Sequence, residues 1–480
     1  MSDVRAFYVA GRPATGDETL EVRNPYDGNP VATVSVPTAA QVEEAVAAAH
    51  AVAAEAAGLP AYVRSDALGH IADRLAERSE ELARLITGEN GKPLRWARGE
   101  VARAVSTFRW AAEEARRWSG DVQRLDTEAP TTGRLALTRR FPRGPVLAIA
   151  PFNFPLNLVA HKVAPAIAVG APVIIKPAPK TPLSALLLGE ILAECGLPNG
   201  MWSVLPLLNE ATAALVSDPR LPVVSFTGSG PVGWSIQASV PRKHVTLELG
   251  GNAAAVVCPD WSSAADLDTA ATRIAMFANY QAGQSCISVQ RVFADRSVYS
   301  ALTERIVAAV EELRTGDPWD DATDVGPLID DAAAVRVESW VAEAVAAGAK
   351  LLTGGTRSGA TMAPTVLVDV PADAKVSCEE VFGPVLVIEA VDGVDEAFAR
   401  VNASQYGLQA GVFTRDLPTA FRAHRELEVG GVVIGDVPSY RADQMPYGGV
   451  KESGVGREGV RYAMEDYTYE RVMVLSGIDL

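Results

Sequence analysis

Cysteine and histidine are scarce in this chain. Its 480 residues include only four cysteines and five histidines, and no two cysteines form a C-x-x-C pair. A disulfide scaffold needs more cysteines, and a structural metal site needs closely spaced cysteine or histidine ligands. We therefore expect no bound metal and a reducing, cytoplasmic location.

Positive charge is also scarce. The 43 lysines and arginines face 59 aspartates and glutamates, which gives a formal net charge of −16. Nucleic-acid surfaces and polybasic membrane patches need clustered positive charge, so we expect neither a nucleic acid nor a membrane as partner. The expected partner is a small molecule.

Long apolar runs are absent as well. One long uncharged stretch, residues 144–161, contains three prolines and two asparagines. A membrane span needs about 20 mostly apolar residues, so this stretch is too broken to form one. Residues 1–12 carry charges and lack the apolar segment of a secretory signal, which is therefore not expected.

The chain does contain a regular alternation of apolar segments. Residues 41–57, 64–87 and 99–118 have the three- and four-residue apolar spacing of helices. Helical segments then alternate with short, strand-like apolar runs at 146–150, 172–175, 202–205, 223–226 and 245–247. The alternation restarts after a glycine pair at 250–251. This order predicts an α/β fold with parallel sheets and helices on both faces.

A glycine-rich loop with the sequence SFTGSGPVG, residues 225–233, follows a predicted strand and opens a predicted helix. Its glycines fit GxGxxG, a pattern whose backbone N–H groups hold a pyrophosphate at a helix N-terminus. Glu248 lies 20 residues after Gly228, where a dinucleotide-binding fold places an acidic ribose ligand. The loop therefore predicts dinucleotide binding, and a plain glycine-rich turn is the alternative.

Three other segments carry groups suited to acyl chemistry. Cys286 stands between small and polar residues, Glu248 precedes the glycine pair, and Asn153 lies between two prolines in PFNFP. They offer a thiol nucleophile, a general base and a donor for an oxyanion. The other cysteines lack such neighbours and are expected to be small buried residues: Cys195, Cys258 and Cys378.

Eight motifs in a fixed order resemble the NAD(P)-dependent aldehyde dehydrogenase superfamily, and the match runs nearly end to end. They are NP at 24–25, PFNFP at 151–155, IIKPAPKTPL at 174–183, FTGSGPVG at 226–233, LELGGN at 247–252, GQSC at 283–286, EEVFGPV at 379–385 and MPYGGVKESGVGREG at 445–459. The lactaldehyde, phosphonoaldehyde and semialdehyde dehydrogenase branches are the most similar. The resemblance implies an aldehyde dehydrogenase-like fold, with two Rossmann-like α/β lobes and a β-hairpin oligomerisation arm.

The resemblance also implies a mechanism. Cys286 would add to the aldehyde carbonyl, and Asn153 with the backbone N–H of Cys286 would stabilise the oxyanion. After hydride transfer, Glu248 would activate the water that hydrolyses the thioester. We favour this role for Glu248 over that of a ribose ligand. Branches that transfer the acyl group to coenzyme A often lack this glutamate, so its presence favours release of a free acid.

The cofactor contacts follow from the same resemblance. Lys176 would bind the adenosine ribose, Gly228 and Ser229 the pyrophosphate, Glu380 the nicotinamide ribose, and Phe382 would lie beside the nicotinamide ring. Three further residues complete the expected cofactor site: Phe152, Gly233 and Leu249.

The choice between NAD and NADP is open at one position. Many NAD-preferring members carry a glutamate three residues after the ribose lysine, where it repels a 2′-phosphate. Pro179 stands there in this chain, and Lys180 follows it. NAD is the predicted cofactor, and the missing repulsion leaves NADP possible.

The substrate tunnel is predicted to be polar. Its expected lining consists of Asn157, His161, Ser285, Ile287, Arg441 and Tyr447, with Arg109 as a further candidate at the mouth. Members that oxidise apolar aldehydes tend to carry aromatic residues where His161 and Arg441 stand. Arg441 could instead bind a carboxylate or phosphate. We therefore predict that the chain oxidises a short polar, anionic aldehyde, such as a semialdehyde, phospho- or phosphonoaldehyde, or lactaldehyde.

Several alternatives remain at this point. Arg441 could point to solvent and His161 could be an ordinary wall residue, in which case the enzyme would take apolar or diverse aldehydes. A coenzyme A-acylating enzyme and a non-catalytic nucleotide-binding homologue are the other two alternatives. The presence of both Cys286 and Glu248 argues against the last.

The resemblance divides the chain into three parts. Residues 1–120 and 144–250 would form the dinucleotide-binding domain, and residues 251–447 the catalytic domain. Residues 121–143 and 465–480 would form the oligomerisation arm. An isolated hairpin is marginally stable in water, so the arm is expected to pair with another subunit in a homodimer or homotetramer.

Overall fold

The computed structural model describes residues 4–477. The outer ends of the predicted ranges 1–120 and 465–480, residues 1–3 and 478–480, lie outside the described residues. The predicted α/β architecture is confirmed, because strands and helices alternate along the chain and build two large, mainly parallel sheets.

The strands in chain order are β1 (Phe7–Val9), β2 (Arg12–Ala14), β3 (Glu18–Arg23), β4 (Pro30–Val36), β5 (Val122–Arg124), β6 (Arg134–Pro142), β7 (Val146–Ile149), β8 (Val173–Lys176), β9 (Trp202–Val204), β10 (Val223–Thr227), β11 (His244–Glu248), β12 (Ala254–Val257), β13 (Arg291–Asp295), β14 (Lys350–Thr353), β15 (Arg357–Ser358), β16 (Thr361–Met362), β17 (Thr365–Val368), β18 (Val385–Val391), β19 (Tyr406–Gly407), β20 (Gln409–Phe413), β21 (Gly431–Ile434), β22 (Val450–Lys451), β23 (Gly454–Val455) and β24 (Thr468–Ser476).

The α-helices are α1 (Ala39–Gly58), α2 (Ala61–Glu77), α3 (Ser79–Asn90), α4 (Leu94–Arg117), α5 (Asn157–Val169), α6 (Leu183–Ala193), α7 (Asn209–Ser217), α8 (Gly230–Ser239), α9 (Ala264–Asn279), α10 (Arg296–Glu311), α11 (Asp331–Ala346), α12 (Lys375–Cys378), α13 (Val394–Asn402), α14 (Leu417–Glu426) and α15 (Val460–Asp466). Two short 3-10 helices occupy Ala129–Thr131 and Tyr280–Gly283.

The first large sheet has eight strands in the order β2-β1-β9-β8-β7-β10-β11-β23. Strands β9, β8, β7, β10 and β11 run parallel, and the strands outside them are antiparallel to their neighbours. Every residue of β7, β8 and β10 is buried, which is typical of strands covered by helices on both faces. Helix α5 is buried along its whole length and packs in the same core.

The second large sheet has seven strands in the order β14-β17-β18-β13-β12-β20-β21. Its strands are parallel except for β14, which is antiparallel to β17. Separate apolar clusters cover its faces, one of them built with α9 and α10 and another with α11. The two sheets therefore have their own cores, and a ligand could lie between them.

Strands β5, β6 and β24 form a third, smaller sheet in the order β24-β6-β5. Strand β24 pairs antiparallel with β6 from Thr468 opposite Pro142 to Ser476 opposite Arg134. Several apolar side chains of this sheet are half exposed or more: Val122, Val472, Met473 and Val474. The sheet thus joins the segment at 121–143 to the end of the described chain and presents apolar residues to its surroundings.

One predicted helix is wrong in its extent. The spacing at 64–87 predicts a single helix, but α2 ends at Glu77 and α3 begins at Ser79. Arg78 between them has φ −95° and ψ 20°, and its guanidinium pairs with Glu81 and Glu190. Both helices keep apolar residues at helical spacing, so the pattern alone does not reveal the break.

No single helix among residues 4–477 is long and apolar enough to cross a membrane. Helices α1 and α2 meet the length and composition criteria only together, across a bend of 114°. Within the same residues, no three His, Cys, Asp or Glu side chains are grouped as metal ligands.

Candidate active site

The chemistry-bearing loops meet where the parallel strands of the first sheet end. Thr227 and Glu248 are the last residues of β10 and β11 and face each other in register. Asn153 follows β7, and Cys286 lies in the loop that enters β13 of the second sheet. Ligands of open α/β sheets bind at the carboxyl ends of the strands, so this junction is the candidate site.

The loop that carries Cys286 has an unusual backbone. Gln281, Ala282 and Gly283 have positive φ angles of 55°, 53° and 71°. A Cβ atom on Gly283 would lie 2.1 Å from the carbonyl oxygen of Gly383, so only glycine fits. The residue after Gly283, Gln284, is also fixed, because its side-chain oxygen accepts a hydrogen bond from the backbone N–H of Ile329 at 2.9 Å. These contacts hold Cys286 at the junction.

The thiol of Cys286 is protonated in this environment. Its Sγ lies 2.9 Å from the hydroxyl oxygen of Tyr447. Burial, opposed by the hydrogen bond from Tyr447 and the charge of Arg441 and assisted by Glu380 and Glu248, raises the pKa of the thiol to about 12. Reaction at neutral pH therefore needs groups that stabilise the thiolate.

Asn153 is buried and is hydrogen-bonded to the loop that carries Cys286. Its Nδ2 donates to the carbonyl oxygen of Gln284 at 3.0 Å, and its Oδ1 has no hydrogen-bond partner in the described part of the chain. Its own carbonyl oxygen accepts from Lys92 Nζ at 2.9 Å. The amide retains a second N–H, which can donate to an added oxygen atom.

A buried ion pair that the sequence analysis missed supports this loop. Lys92 and Glu100 are in contact, and both side chains are fully buried. The other oxygen of Glu100 accepts from the backbone N–H groups of Leu156 and Asn157, at 3.0 and 3.1 Å, where α5 begins. The pair therefore fixes both the Asn153 backbone and the start of the helix that carries Asn157.

Glu248 is a buried carboxyl group without hydrogen bonds to its oxygens within residues 4–477. A Cβ atom on Gly448 would lie 2.9 Å from Glu248 Oε1, so this glycine makes room for the side chain. Burial and the nearby charge of Glu458 raise the pKa of Glu248 well above its usual value. The surroundings of Glu248 therefore favour its protonated form.

Glu458 is a second buried carboxylate beside Glu248, and the sequence analysis did not single it out. It accepts hydrogen bonds from Lys162 Nζ at 3.1 Å, Arg441 Nη2 at 3.0 Å and Thr227 Oγ1 at 3.3 Å. The two cations overcome its burial and lower its pKa to about 2. The surroundings thus move the pKa values of the two carboxyl groups in opposite directions, a separation typical of acid–base sites.

Arg441 does not point to solvent. Its side chain is 6% exposed, its guanidinium pairs with Glu458, and its Cζ lies 3.8 Å from the centroid of the Tyr447 ring. Its Nε has no hydrogen-bond acceptor among the described residues. A buried guanidinium with an unpaired N–H lies ready to bind an acceptor on a ligand.

His161 is completely buried next to an ion pair. Its Nε2 lies 3.5 Å from Asp443 Oδ1, and the guanidinium of Arg103 binds the same oxygen at 2.9 Å. Burial first, and then the charge of Arg441, lower the pKa of His161 to about 4. The imidazole is therefore neutral, and the Asp443 charge is matched by Arg103.

Arg109 does not join these residues, contrary to expectation. Its side chain is 62% exposed and lies 3.8 Å from Asp73 on α2. Arg103 of the same helix reaches the candidate site instead. The two residues lie six positions apart on α4, so they point in directions about 120° apart around the helix axis.

Two of the other predicted tunnel residues, Ser285 and Ile287, adjoin Cys286 in the chain, and the third is Asn157 at the start of α5. Asn157 is buried, and its Oδ1 has no hydrogen-bond partner within the described chain. Ser285 is half-buried. Ile287 packs with Tyr447, and its carbonyl oxygen accepts from Ser439 Oγ at 2.6 Å. The carbonyl of Ile287 is therefore already bonded, whereas Asn157 has a free acceptor.

The predicted dinucleotide residues of the first sheet lie at the ends of β8 and β10. Lys176 ends β8, and its Nζ donates to Asn209 Oδ1 at 2.8 Å. Burial lowers the pKa of Lys176 to about 8. Gly228 and Ser229 lead from β10 into α8, and the N–H of Gly228 donates to the carbonyl oxygen of Glu248 at 3.0 Å.

The third glycine of the loop permits close helix packing. A Cβ atom on Gly233 would lie 2.4 Å from Leu249 Cδ2, so a larger residue would push α8 away from the sheet. Leu249 itself is buried. The N-terminus of α8 therefore lies close to the strand ends, with its backbone N–H groups directed at the site.

The predicted nicotinamide contacts come from the second sheet's side. Glu380 Oε1 accepts from the N–H of Gly251 at 2.9 Å, and burial raises the pKa of Glu380 to about 7. The ring of Phe382 meets that of Phe152 edge-on, with centroids 5.9 Å apart. A Cβ atom on Gly251 would lie 2.7 Å from the carbonyl oxygen of Cys286, so Glu380 and Cys286 approach the same glycine.

Comparisons with known proteins agree with this geometry. A model of the aldehyde dehydrogenase family matches residues 12–473. The 3-sulfolactaldehyde dehydrogenase of Priestia aryabhattai is 44% identical over 471 residues, which cover 98% of this chain and 98% of that protein. These matches extend over almost the whole chain.

Solved structures confirm the predicted fold. The crystal structure of aldehyde dehydrogenase 21 from Physcomitrella patens, in complex with the reaction product succinate, matches with a TM-score of 0.97 and 45% identity, covering 100% of this chain and 99% of that one. The NADP-dependent glyceraldehyde-3-phosphate dehydrogenase from Bacillus halodurans C-125, complexed with NADP, matches with a TM-score of 0.94 and 35% identity, covering 99% and 100%. The chain belongs to the aldehyde dehydrogenase family and is an NAD(P)-dependent aldehyde dehydrogenase.

Proposed function

We propose that this enzyme oxidises a short aldehyde with a negatively charged group to the free carboxylic acid. The observation that carries the proposal is the buried guanidinium of Arg441, which lies against the ring of Tyr447 next to the Cys286 thiol. A buried arginine with an unpaired N–H favours an anionic ligand group over an apolar one.

Two relatives support an anionic substrate. One is named for 3-sulfolactaldehyde, which carries a sulfonate, and the other was crystallised with succinate, a dicarboxylate. His161 supports a polar tunnel as well, because its neutral imidazole can donate a hydrogen bond.

The proposed reaction begins at Cys286. The thiolate sulfur forms a bond with the carbonyl carbon, and the π electrons move to the oxygen. The backbone N–H of Cys286 and the free N–H of Asn153 stabilise this oxyanion. Loss of a hydride, which the bound nicotinamide accepts, leaves a thioester on Cys286.

Glu248 is the proposed base for the second half of the reaction. It takes a proton from water, the water oxygen attacks the thioester carbon, and Cys286 leaves as a thiolate. The raised pKa of Glu248 gives it enough basicity for this step once it is ionised. Glu458 tunes Glu248 through its charge and stays ionised itself.

The residues fit a dinucleotide, and we propose NAD as the preferred one. The start of α8, the cation of Lys176 and the carboxyl group of Glu380 suit a pyrophosphate and two riboses. Glu210 lies close enough to Lys176 for its charge to act on that residue's pKa, and Lys180 is paired with Asp330. A 2′-phosphate would meet the negative charge of Glu210 and no free charge on Lys180.

A substrate panel tests this proposal. Succinic semialdehyde, a phosphonoaldehyde, lactaldehyde and hexanal would each be offered with NAD⁺ and with NADP⁺, and nicotinamide reduction recorded. We expect the two anionic aldehydes with NAD⁺ to give the highest kcat/KM. Arg441→Met should lower kcat/KM for them by about 10- to 100-fold, since a charged hydrogen bond contributes about 1.5–3 kcal/mol.

The control for the panel is Arg84→Met. Arg84 is an exposed arginine on α3 that pairs with Glu80. This variant should leave kcat/KM unchanged for every substrate. Turnover led by hexanal would contradict the anionic substrate, and turnover that needs coenzyme A would contradict hydrolysis.

We also propose that β5, β6 and β24 form an oligomerisation arm. The exposed apolar residues of this sheet would be buried against another copy of the chain. Light scattering is expected to give the mass of a dimer or tetramer. Val472→Asp together with Val474→Asp should shift it towards the monomer, and a wild-type monomer at all concentrations would contradict the proposal.

A further inference from the structure

The hydroxyl group of Tyr447 is directed at the sulfur of Cys286. The two atoms lie 2.9 Å apart, and no other side-chain hydrogen bond reaches Sγ within residues 4–477. Tyr447 is 3% exposed, and Cys286 packs with it against Ile287 and Leu408. The contact therefore lies in apolar surroundings, where a hydrogen bond is strong and an unpaired charge is costly.

Only one of the two groups can donate once Cys286 ionises. A thiolate has no proton, whereas burial raises the pKa of Tyr447 well above its usual value and keeps the phenol protonated. The hydrogen bond then runs from the Tyr447 O–H to the thiolate, and it stabilises the charged form of the nucleophile.

One face of the Tyr447 ring is covered by a cation. The guanidinium carbon of Arg441 lies 3.8 Å from the ring centroid. A cation over the face of a phenol attracts its π electrons and makes the O–H a stronger donor. The arrangement is guanidinium, ring, hydroxyl and sulfur in succession.

The backbone holds this arrangement in place. Tyr447 and Glu458 exchange two backbone hydrogen bonds, of 3.0 and 2.6 Å. The side chain of Glu458 in turn binds Arg441 at 3.0 Å. Glu458 thus positions both the aromatic ring and the cation that covers it.

We propose that Tyr447 is a catalytic residue whose hydroxyl stabilises the Cys286 thiolate, and that Arg441 is a positioning residue that strengthens this hydrogen bond through the ring. The inference rests on the proposed function, because it takes Cys286 as the nucleophile. Tyr447 keeps its proton throughout. The thiol proton leaves to water, and the sulfur electron pair then forms the bond to the carbonyl carbon.

Other charges also act on the thiol, and the test must separate them. Glu380 and Glu248 raise its pKa, whereas Tyr447 and Arg441 lower it. Lys162 and Glu458 lie further along the same cluster and compensate each other. Removal of the Tyr447 hydroxyl changes none of these charges, so Tyr447→Phe isolates the hydrogen bond.

The experiment measures alkylation of Cys286 by iodoacetamide, which needs neither substrate nor cofactor. Mass spectrometry of the Cys286 peptide distinguishes this thiol from the other three cysteines. The rate would be followed from neutral to alkaline pH. Tyr447→Phe should lower the rate about tenfold at neutral and mildly alkaline pH, which corresponds to a rise of about one unit in the apparent pKa of the thiol. Tyr62→Phe, at an exposed position on α2, is the matched control.

Arg441→Met should also raise the pKa of the thiol, but by less. The rate of alkylation at neutral pH should therefore fall about threefold. The charge of Arg441 also acts on the thiol directly, so the double variant should react more slowly than Tyr447→Phe alone, but by less than the product of the two single effects, because part of the Arg441 effect passes through the hydroxyl. Additive effects would overturn the role of the ring, and an unchanged pKa in Tyr447→Phe would overturn the whole inference. If Cys286→Ala loses turnover but Tyr447→Phe does not change the pH dependence of alkylation, the proposed function is supported and the role of Tyr447 is refuted.

Discussion

Replacing Cys286 by alanine is expected to lower kcat by at least about 10⁴-fold, while the nucleotide still binds. The proposed nucleophile is removed, and the other three cysteines lie outside the loops that carry Asn153, Glu248 and Cys286. The thiol is neutral in the resting protein, so its removal takes away no charge. We therefore expect little change in stability. Nicotinamide reduction, calorimetric titration with NAD⁺ and thermal unfolding together check this result.

A matched control is Cys195→Ala. Cys195 is half-buried beyond α6, and burial likewise raises its pKa to about 12. This substitution removes a comparable thiol from a part of the fold that has no role in the proposed chemistry. Turnover that survives Cys286→Ala would refute the covalent mechanism, and loss of nucleotide binding in that variant would mean that the thiol also supports the cofactor site.

The strands that carry the site could be predicted, because each contains a short run of mostly apolar residues. The runs at 223–226 and 245–247 became β10 and β11, each extended by a residue or two. The final residues, Thr227 and Glu248, are polar and so fall outside an apolar run. Their polarity arises because they stand at the strand ends that face a ligand.

Long-range partners could not be predicted in this way. Glu458 lies in a glycine-rich motif, where a charged residue is equally compatible with an exposed turn. Its partner Lys162 is 296 positions away in the chain. The contact becomes visible only when α5 is found to be buried on every side, which leaves its lysine no route to solvent.

The orientation of the helices also could not be predicted from the sequence. Helix α4 carries arginines on several faces, and residues 99–118 have an amphipathic pattern that tells which face is buried but not what it is buried against. The spacing of apolar residues along α4 therefore could not show whether Arg109 or Arg103 reaches the candidate site. Asp443, which binds Arg103, lies 340 residues later in a loop.

Replacing Glu248 by glutamine is expected to convert the enzyme into one that stalls as the thioester. The first half of the proposed reaction does not use this base for water, so each subunit should reduce one nicotinamide in a rapid burst. The following steady state should be about 10²–10⁴-fold slower, the usual contribution of a general base. Stopped-flow absorbance and the mass of the acylated Cys286 peptide measure the two phases.

The pH dependence of the unmodified enzyme should come from the same group. Burial and Glu458 raise the pKa of Glu248, so the basic, ionised form becomes populated only as pH rises, and the hydrolytic rate should rise with it. Glu458→Gln removes the nearby negative charge, which lowers the pKa of Glu248 and moves this rise to lower pH. It also leaves Lys162 and Arg441 without their buried partner, at a cost of about 3–5 kcal/mol of stability.

A comparison of the two variants therefore distinguishes the role of Glu248 from that of Glu458. Glu248→Gln should abolish the pH-dependent rise and keep the burst, whereas Glu458→Gln should keep the rise at a shifted position and lower the unfolding temperature. Glu55→Gln, on the exposed face of α1, should change neither. A Glu248→Gln enzyme without a burst would place the glutamate in the activation of Cys286 instead of hydrolysis. In that case the same variant should slow the alkylation of Cys286, because the thiol would have lost the acceptor for its proton.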